Sequence, residues 1–226
     1  ESEKLYKTLF NSISHELKTP ITTIIGAASS FNDSKIFENK NSLTGIVKEI
    51  NIAAERLHRL VENLLDMARL ESGNLNLKLG WNSIADLVHS VTERLKNESK
   101  FHKLIIKIDE DIVFRFDYTL LEQAIINIVH NALTYTPAGC EITIEGIQQN
   151  YNYILNISDN GNGFSKEALT KLFTKFYRIS GTKTGGSGLG LSIAKGFIEA
   201  HGGTITASNK TSGGSVFTII LPIKEK

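Results

Sequence analysis

Two apolar stripes, each about thirty residues long and both complete before residue 72, constrain this chain more than any other feature. From Ser2 to Phe31, the positions Leu5, Leu9, Ile13, Leu17, Ile21, Ile24 and Ala28 recur at spacings of three and four. That is the mark of one buried helix face. After the polar stretch NDSKIFENKN, a second stripe runs through Leu43, Ile46, Val47, Ile50, Ala54, Leu57, Val61, Leu64, Leu65 and Ala68, ending near RLESG. The two stripes predict an antiparallel helical hairpin. A lone hairpin of about 70 residues has one thin apolar seam, and burying it fully takes two hairpins in a four-helix bundle. The expected state is therefore a homodimer.

Past Gly73 the pattern changes. Short alternating segments, NLNLKL, LIIKI, EITIEGI, YILNISD and VFTIILP, read as strands, with helical stretches near 83–97, 117–133, 166–173 and 190–201 between them. The reading is α+β in class. A helical dimerisation part spans 1–72, a linker and first-strand region 73–80, and an α/β part 81–226. Glycines gather between 161 and 214, where the backbone must turn tightly or approach a ligand closely.

Composition excludes several classes of function. Lys and Arg total 25 against 24 Asp and Glu, so the net charge of +1 gives no electrostatic case for nucleic acid or an anionic membrane surface. Cys140 is the only cysteine, which rules out an intrachain disulfide or a cysteine-based zinc cluster and fits the cytoplasm. No apolar run approaches the roughly 20 residues that span a bilayer. The chain begins at Glu1 and its only methionine is Met67, so the expectation is a piece of a longer protein whose membrane-anchored sensing region lies upstream.

In SISHELKTP, His15 lies two residues from both Ile13 and Leu17, about 200° around a helix from the core positions, and is expected to face water. An exposed helix histidine is most often a plain surface residue. Its neighbours argue for more. Glu16 can hydrogen-bond one imidazole nitrogen and raise the basicity of the other, as a histidine nucleophile requires. Pro20 removes the N–H that would bond the Glu16 carbonyl, so the helix can bend just beyond. Thr19 sits one turn on, where its hydroxyl could position a water. HELKT lacks the second histidine of the H-E-x-x-H zinc motif.

Four later segments converge on a phosphate-bearing ligand. In LLEQAIINIVHNALTYTP, Asn127 and Asn131 are four apart on one helix face with Tyr135 a turn further, two amides and an aromatic ring aimed one way. Paired amides can hold Mg²⁺ and its waters, and tyrosine can pack on a base, although solvated or capping asparagines are the commoner case. In DNGNGF, Asp159 precedes Gly161 and Gly163. A plain hairpin turn uses the same residues, and so does a carboxylate fixed to accept the amine of adenine. In LFTKFYRI, Phe173 and Phe176 would anchor a loop while Arg178 reaches a phosphate. In TGGSGLGLSIAKGF, Gly186, Gly188, Leu189 and Gly190 lead into a helix whose N-terminal amides can hold phosphate oxygens. This is neither a P-loop, lacking Gly-Lys-Ser/Thr, nor a dinucleotide fingerprint.

In this order, these segments resemble the H, N, G1, F and G2 boxes of two-component sensor histidine kinases. The resemblance covers nearly the whole chain. GAASSF, RLVENLLDMARLESG and Trp81 are similar further to the potassium-responsive Kdp-type kinases, with potassium or osmotic sensing as the signal. The family implies an antiparallel hairpin forming a dimeric four-helix bundle (HisKA), then a GHKL (Bergerat-type) α/β sandwich that binds ATP (HATPase_c), with a mobile lid at about 164–187. It implies His15 as the phosphoacceptor, Glu16 as acid/base partner, and Thr19 as a residue for dephosphorylating a response regulator. It implies that Asn131 holds Mg²⁺ with Asn127 beside it, and that Tyr135 and Asp159 bind adenine. Gly161, Gly163, Phe176, Gly186, Gly188, Leu189 and Gly190 would shape the nucleotide pocket, and Arg178 would approach the γ-phosphate. The implied partners are a second copy and a response regulator receiver domain. Two departures stand out: Thr134 where the family commonly has a phosphate-contacting lysine, and His130 where an acidic residue is frequent. Lys175 or Lys183 on the lid is the expected substitute for the lysine.

Two other readings use the same residues. Topoisomerases, mismatch-repair ATPases and chaperones with this ATP-binding fold hydrolyse ATP through a glutamate four residues before the magnesium asparagine. That place holds Asn127, whose neutral amide cannot accept a proton from water. A degenerate nucleotide-binding dimer would be expected to have lost His15 or the lid glycines, and both are present.

Overall fold

The computed structural model describes the backbone of residues 2–32, 40–73, 75–179 and 187–223. Side chains are described from Ile13 onward, apart from those of His15, Asn32 and Lys40. The inter-helix turn at 33–39, Lys183 and Gly186 lie outside the described residues. Two compact units divide the chain, one ending at Ala68 and the other starting at Arg69.

The first unit is two long helices, α1 (Ser2–Ser29) and α2 (Lys40–Glu71). α1 runs on through Pro20, whose missing N–H leaves the Glu16 carbonyl without its usual helical donor. Its last turn is held by hydroxyls: Ser29 donates to the Ile25 carbonyl at 2.8 Å and Ser30 to that of Gly26 at 3.2 Å. α2 ends where Gly73 takes φ +66°, the left-handed conformation that terminates helices at low cost for glycine.

Burial in this unit follows the predicted stripes only in part. Among the described residues of α1, Pro20 and Ala27 are buried and Ile13, Leu17 and Ile24 half-buried, while Ile21, Ile25 and Ala28 are exposed. On α2, Ala53, Leu60 and Met67 are buried and flanked by half-buried Ile46, Ile50, Leu57 and Leu64. These seven alternate at spacings of four and three, a heptad seam. Val47, Ala54, Val61 and Ala68 form a second line seven residues apart, exposed within this chain. The apolar face of α2 is wide enough for both lines, and the sequence stripe mixed them: it held Ile46, Ile50, Leu57 and Leu64 of the inner line with all four residues of the outer one, and passed over Ala53, Leu60 and Met67.

The second unit is a five-stranded sheet under a layer of helices. Its elements are β1 (Gly80–Ser83), α3 (Ile84–Arg94), β2 (Lys103–Lys107), β3 (Val113–Phe116), α4 (Tyr118–Tyr135), β4 (Glu141–Gln149), β5 (Asn152–Asp159), α5 (Lys166–Lys171), α6 (Gly190–Ala200), β6 (Thr204–Asn209) and β7 (Ser215–Pro222). The sheet order is β2-β4-β5-β7-β6, with β2 and β4 parallel and the other pairs antiparallel; β1 and β3 pair as a separate ribbon. Alternation explains the layering. Ile142 and Ile144 of β4, Leu155 and Ile157 of β5, and Phe217, Ile219 and Leu221 of β7 are buried on one face. Ile125, Ile128 and Val129 of α4 and Ile193, Phe197 and Ile198 of α6 supply the buried helical side of this core.

The four predicted helices of this unit form as α3 to α6. The predicted strand NLNLKL does not. Residues 75–79 take no strand pairing, and the Lys78 N–H instead donates to the Asp117 carboxylate at 2.7 Å. Asp117 is the N-cap of α4, accepting from Leu120 N–H at 3.2 Å. Its own N–H donates to His201 Nε2 at 3.0 Å, at the C-terminal end of α6, while His201 Nδ1 pairs with the Phe197 carbonyl at 2.7 Å. Asp117 thus ties the incoming chain to the start of α4 through its carboxylate and to the end of α6 through its own N–H. A cavity of about 190 Å³ opens beside it, lined in part by Leu77, Leu79, Glu199 and Pro222.

Candidate nucleotide-binding site

Two helices, one turn and one clasp bring the predicted nucleotide residues together at the opposite end of α6. α4 presents Asn127, Asn131 and Tyr135 at helical spacing. The ring of Tyr135 is exposed, Asn131 is half-buried, and Asn127 lies against Gly190, the first residue of α6. A Cβ at Gly190 would sit 3.5 Å from the Asn127 amide, in ordinary contact. Asn127 Nδ2 is buried and has no hydrogen-bond partner. An unsatisfied buried donor costs on the order of 1–3 kcal/mol until an acceptor meets it.

Asp159 ends β5, buried among donors. Its Oδ1 accepts from Gly161 N–H at 2.8 Å, and its Oδ2 accepts from the Ser215 hydroxyl at 2.5 Å. Ser215 stands opposite because β5 and β7 are antiparallel with Ser158 paired to Val216. The carboxylate is therefore aimed before any ligand arrives, and its two oxygens retain acceptor capacity. Gly161 makes the turn possible: a Cβ there would approach Thr136 Cγ2 to 2.9 Å and Asp159 Oδ1 to 3.1 Å. Thr136 follows α4 directly, and its carbonyl is paired with His102 Nε2 at 3.1 Å. The end of α4 and the 159–163 turn are thus packed together.

The chain segment after α5 is closed by a backbone clasp. Phe176 N–H donates to the Gly188 carbonyl at 2.9 Å, and both residues take positive φ, +63° and +67°. A Cβ on Gly188 would meet the Phe176 backbone at 2.7 Å, so only glycine fits. Phe164 and Phe173, on either side of α5, both pack edge-on against the buried ring of Phe217 at 5.9 and 6.3 Å. α6 then starts at Gly190 with Leu189 as N-cap, and no side chain caps it. Leu189 is fully buried. Arg178 is exposed.

The remaining predicted residues fall elsewhere. His15, Glu16 and Thr19 are on α1, in the other unit; Glu16 is half-buried and Thr19 exposed, and the His15 side chain is outside the described residues. The two departures from the family pattern meet each other, with Thr134 Oγ1 at 3.4 Å from His130 Nδ1. Lys175, an expected substitute for the missing lysine, is paired with Glu71 at the end of α2 at 2.8 Å. Sequence reasoning missed Ser215, Asn209 and Lys210. The GGS before the last strand is the one local signal that pointed toward them.

These features define a class: a helical phosphoacceptor unit joined to an ATP-binding sandwich. Residues 6–73 match the family described as His Kinase A (phospho-acceptor) domain, and residues 116–225 match that described as histidine kinase-, DNA gyrase B-, and HSP90-like ATPase. The chain belongs to the histidine kinases, with the helical hairpin and GHKL-type sandwich of that family.

Among individual proteins, it is 35% identical to the sensor protein KdpD of Clostridium acetobutylicum and 34% identical to KdpD of Escherichia coli K12. Each match covers 98% of this chain and 25% of the relative. The chain thus spans about a quarter of their length. Of solved structures, the histidine kinase AdeS of Acinetobacter baumannii superposes with a TM-score of 0.70 at 26% identity, covering 93% of this chain and 98% of that one. The histidine kinase ThkA in complex with the response regulator protein TrrA gives 0.70 at 25% identity, covering 99% of this chain and 64% of that one.

Proposed function

We propose that this chain is the kinase core of a two-component sensor, binding ATP with Mg²⁺ at the α4, 159–163 and α6 segments and transferring the γ-phosphoryl group to His15. The observation that carries the reading is the prepared nucleotide end of the second unit. There, one unsatisfied Asn127 amide, an aimed Asp159 carboxylate and an uncapped helix N-terminus occur in a chain whose α1 carries SHELKTP.

In this reading an imidazole nitrogen of His15 attacks the γ-phosphorus in line, the bond to the β,γ-bridging oxygen breaks, and ADP leaves. Glu16 holds the other nitrogen and takes up its charge. Asp159 and Tyr135 receive adenine, while Gly161, Gly163 and the 186–190 segment, with Phe176 and Leu189, shape the pocket. Arg178 and the N-terminal amides of α6 stabilise the phosphates. The residues present fit Mg²⁺. Asn131, with Asn127 beside it, offers amide oxygens, and an ion held chiefly by phosphates and water needs no carboxylate cage. Bound there, Mg²⁺ would neutralise phosphate charge. Lys175 or Lys183 supplying the cation absent at Thr134 stays part of the proposal, and for Lys175 it requires release from Glu71.

The partners follow from the same reading. The exposed line Val47, Ala54, Val61 and Ala68 supports a second copy packed along α2. ThkA has been solved with a response regulator, which supports a receiver-domain aspartate as the onward acceptor here, with Thr19 serving the hydrolysis of that aspartyl phosphate by water. Likeness to KdpD supports a Kdp-type sensor and, with it, potassium or osmotic sensing as the signal. We keep 1–72, 73–80 and 81–226 as the working boundaries of dimerisation unit, linker and ATP-binding unit, on the cytoplasmic side of a membrane-anchored sensor. The test is incubation with γ-labelled ATP and Mg²⁺. Acid-labile, alkali-stable label that vanishes in His15→Gln is expected, and label that persists in that variant overturns the assignment.

A further inference from the structure

The turn that carries Asp159 is fastened from behind by the β6–β7 hairpin. Asn209, the last residue of β6, directs its carboxamide at the backbone of Phe164. Its Oδ1 accepts from Phe164 N–H at 2.8 Å, and its Nδ2 donates to the Phe164 carbonyl at 2.6 Å. One side chain thus takes both backbone groups of one residue, as a neighbouring strand would. The same Oδ1 lies 2.7 Å from where a Cβ of Gly163 would stand, so the clamp requires the bare backbone that Gly163 provides at φ +67°.

The other end of the turn is held by the same hairpin. Lys210 Nζ donates to the Asp159 carbonyl at 3.0 Å, and Ser215 binds the Asp159 carboxylate. Asn160 is pinned as well, donating its N–H to the Glu141 carbonyl at 3.2 Å and accepting from Glu141 N–H on Oδ1 at 2.8 Å, so the stretch left between fixed points is 161–163, with the Phe164 clamp as its far end. Asn209 is itself exposed, so removing its amide returns the Phe164 groups to water and costs the fold little. What it takes away is the fixed far end of the turn.

We propose that Asn209 is a positioning residue for base recognition: by clamping Phe164 it sets the shape of the 159–163 turn and so the reach of the Asp159 carboxylate toward adenine. This rests on the reading that the turn receives adenine. The mechanism predicts a selective defect. Loosening the turn weakens the contact that distinguishes an exocyclic amine from a carbonyl, whereas contacts to phosphates, made from α4 and α6, are untouched.

The test measures competition of ADP and GDP against a fluorescent ADP analogue on the 226-residue chain. In Asn209→Ala the ADP dissociation constant rises about tenfold while that of GDP moves less than about threefold, so the preference for adenine falls. Asn209→Asp, which keeps the acceptor but turns a carboxylate oxygen toward the Phe164 carbonyl, loses the adenine preference at least as far as Asn209→Ala; it also serves if Asn209→Ala folds poorly. ADP and GDP weakening in equal proportion, or ADP affinity within twofold of wild type, overturns the proposal. Asp159→Asn is the control for the underlying reading. If it binds ADP like wild type, the adenine assignment fails; if it loses the adenine preference while both Asn209 variants keep it, the positioning role alone fails.

Discussion

The two units of this chain bury their apolar residues to very different degrees. In the α/β unit, Ile84, Leu87, Leu121, Ile125, Ile144, Phe197 and Ile219 are among many side chains with no exposure, and the exposed apolar residues are scattered over strand ends and loops. In the helical unit, burial stops at the inner seam of α2, and Val61 and Leu65 remain 41% and 49% exposed on the outer one. One unit is closed over its apolar residues and leaves a few buried polar atoms unmet, Asn127 Nδ2 among them. The other keeps an unmet apolar face, which suits a partner chain. On the proposed function, the difference matches the two ends of one reaction, a second chain for the acceptor and a nucleotide for the donor.

The largest expected effect breaks the helical side of that comparison. In Val61→Glu/Leu65→Glu, four-helix assembly would bury four carboxylates, two from each chain, in an apolar seam, at a cost of several kcal/mol each before any compensation. Light scattering should then find a monomer at concentrations where the parent chain is dimeric, with ADP affinity within twofold of the parent. A dimer that persists would show that the outer seam is not the interface. Next comes Gly214→Ala on the α/β side. A Cβ there would lie 2.1 Å from the Asp159 carbonyl oxygen, at φ +85°, so backbone must move. A loss of roughly 3 kcal/mol in unfolding free energy is expected, together with ADP affinity, since the displaced residue carries the carboxylate. Calorimetry and ADP titration check both, and an unchanged melting temperature would contradict the packing described.

How far all this was legible beforehand depended on whether the signal was local. α3 to α6 were readable because each has an apolar face of helical period, and the site segments because each is a short run with its own turn chemistry. β6 was not, since TITASN is a polar edge strand with Ile205 its one buried large side chain. β1 and β3 are four residues each and pair only with each other. NLNLKL alternates well but has no neighbour to pair with. Asn209 and Ser215 act across separations of 45 and 56 residues, through the strand register, so no window along the chain contains both partners. On α2, both the inner and outer lines are apolar, and periodicity alone cannot say which one a single chain covers.

The smallest effect separates two kinds of unmet polar group within the α/β unit. Asn127 Nδ2 and the Tyr153 hydroxyl are both buried without partners, but only Asn127 lies among the nucleotide segments. Tyr153 sits in the core beside Phe114, with its hydroxyl over Gly146, where a Cβ would come within 1.9 Å. Burial, with the nearby Asp109 carboxylate, pushes its pKa up to about 12 from 10.0. Because the folded value is the higher one, the neutral phenol's contribution is fully present below pH 10 and is lost between about 10 and 12, as the unfolded chain ionises first. Tyr153→Phe removes the unpaired hydroxyl and should change stability at neutral pH by no more than about 1 kcal/mol, toward greater stability. It should also flatten that alkaline limb in pH-dependent unfolding and leave ADP affinity unaltered. Asn127→Ala, by contrast, should weaken ATP binding about tenfold or more without stabilising the fold to match. If the two variants behaved alike, the distinction between a donor kept for a ligand and a hydroxyl stranded by packing would fall.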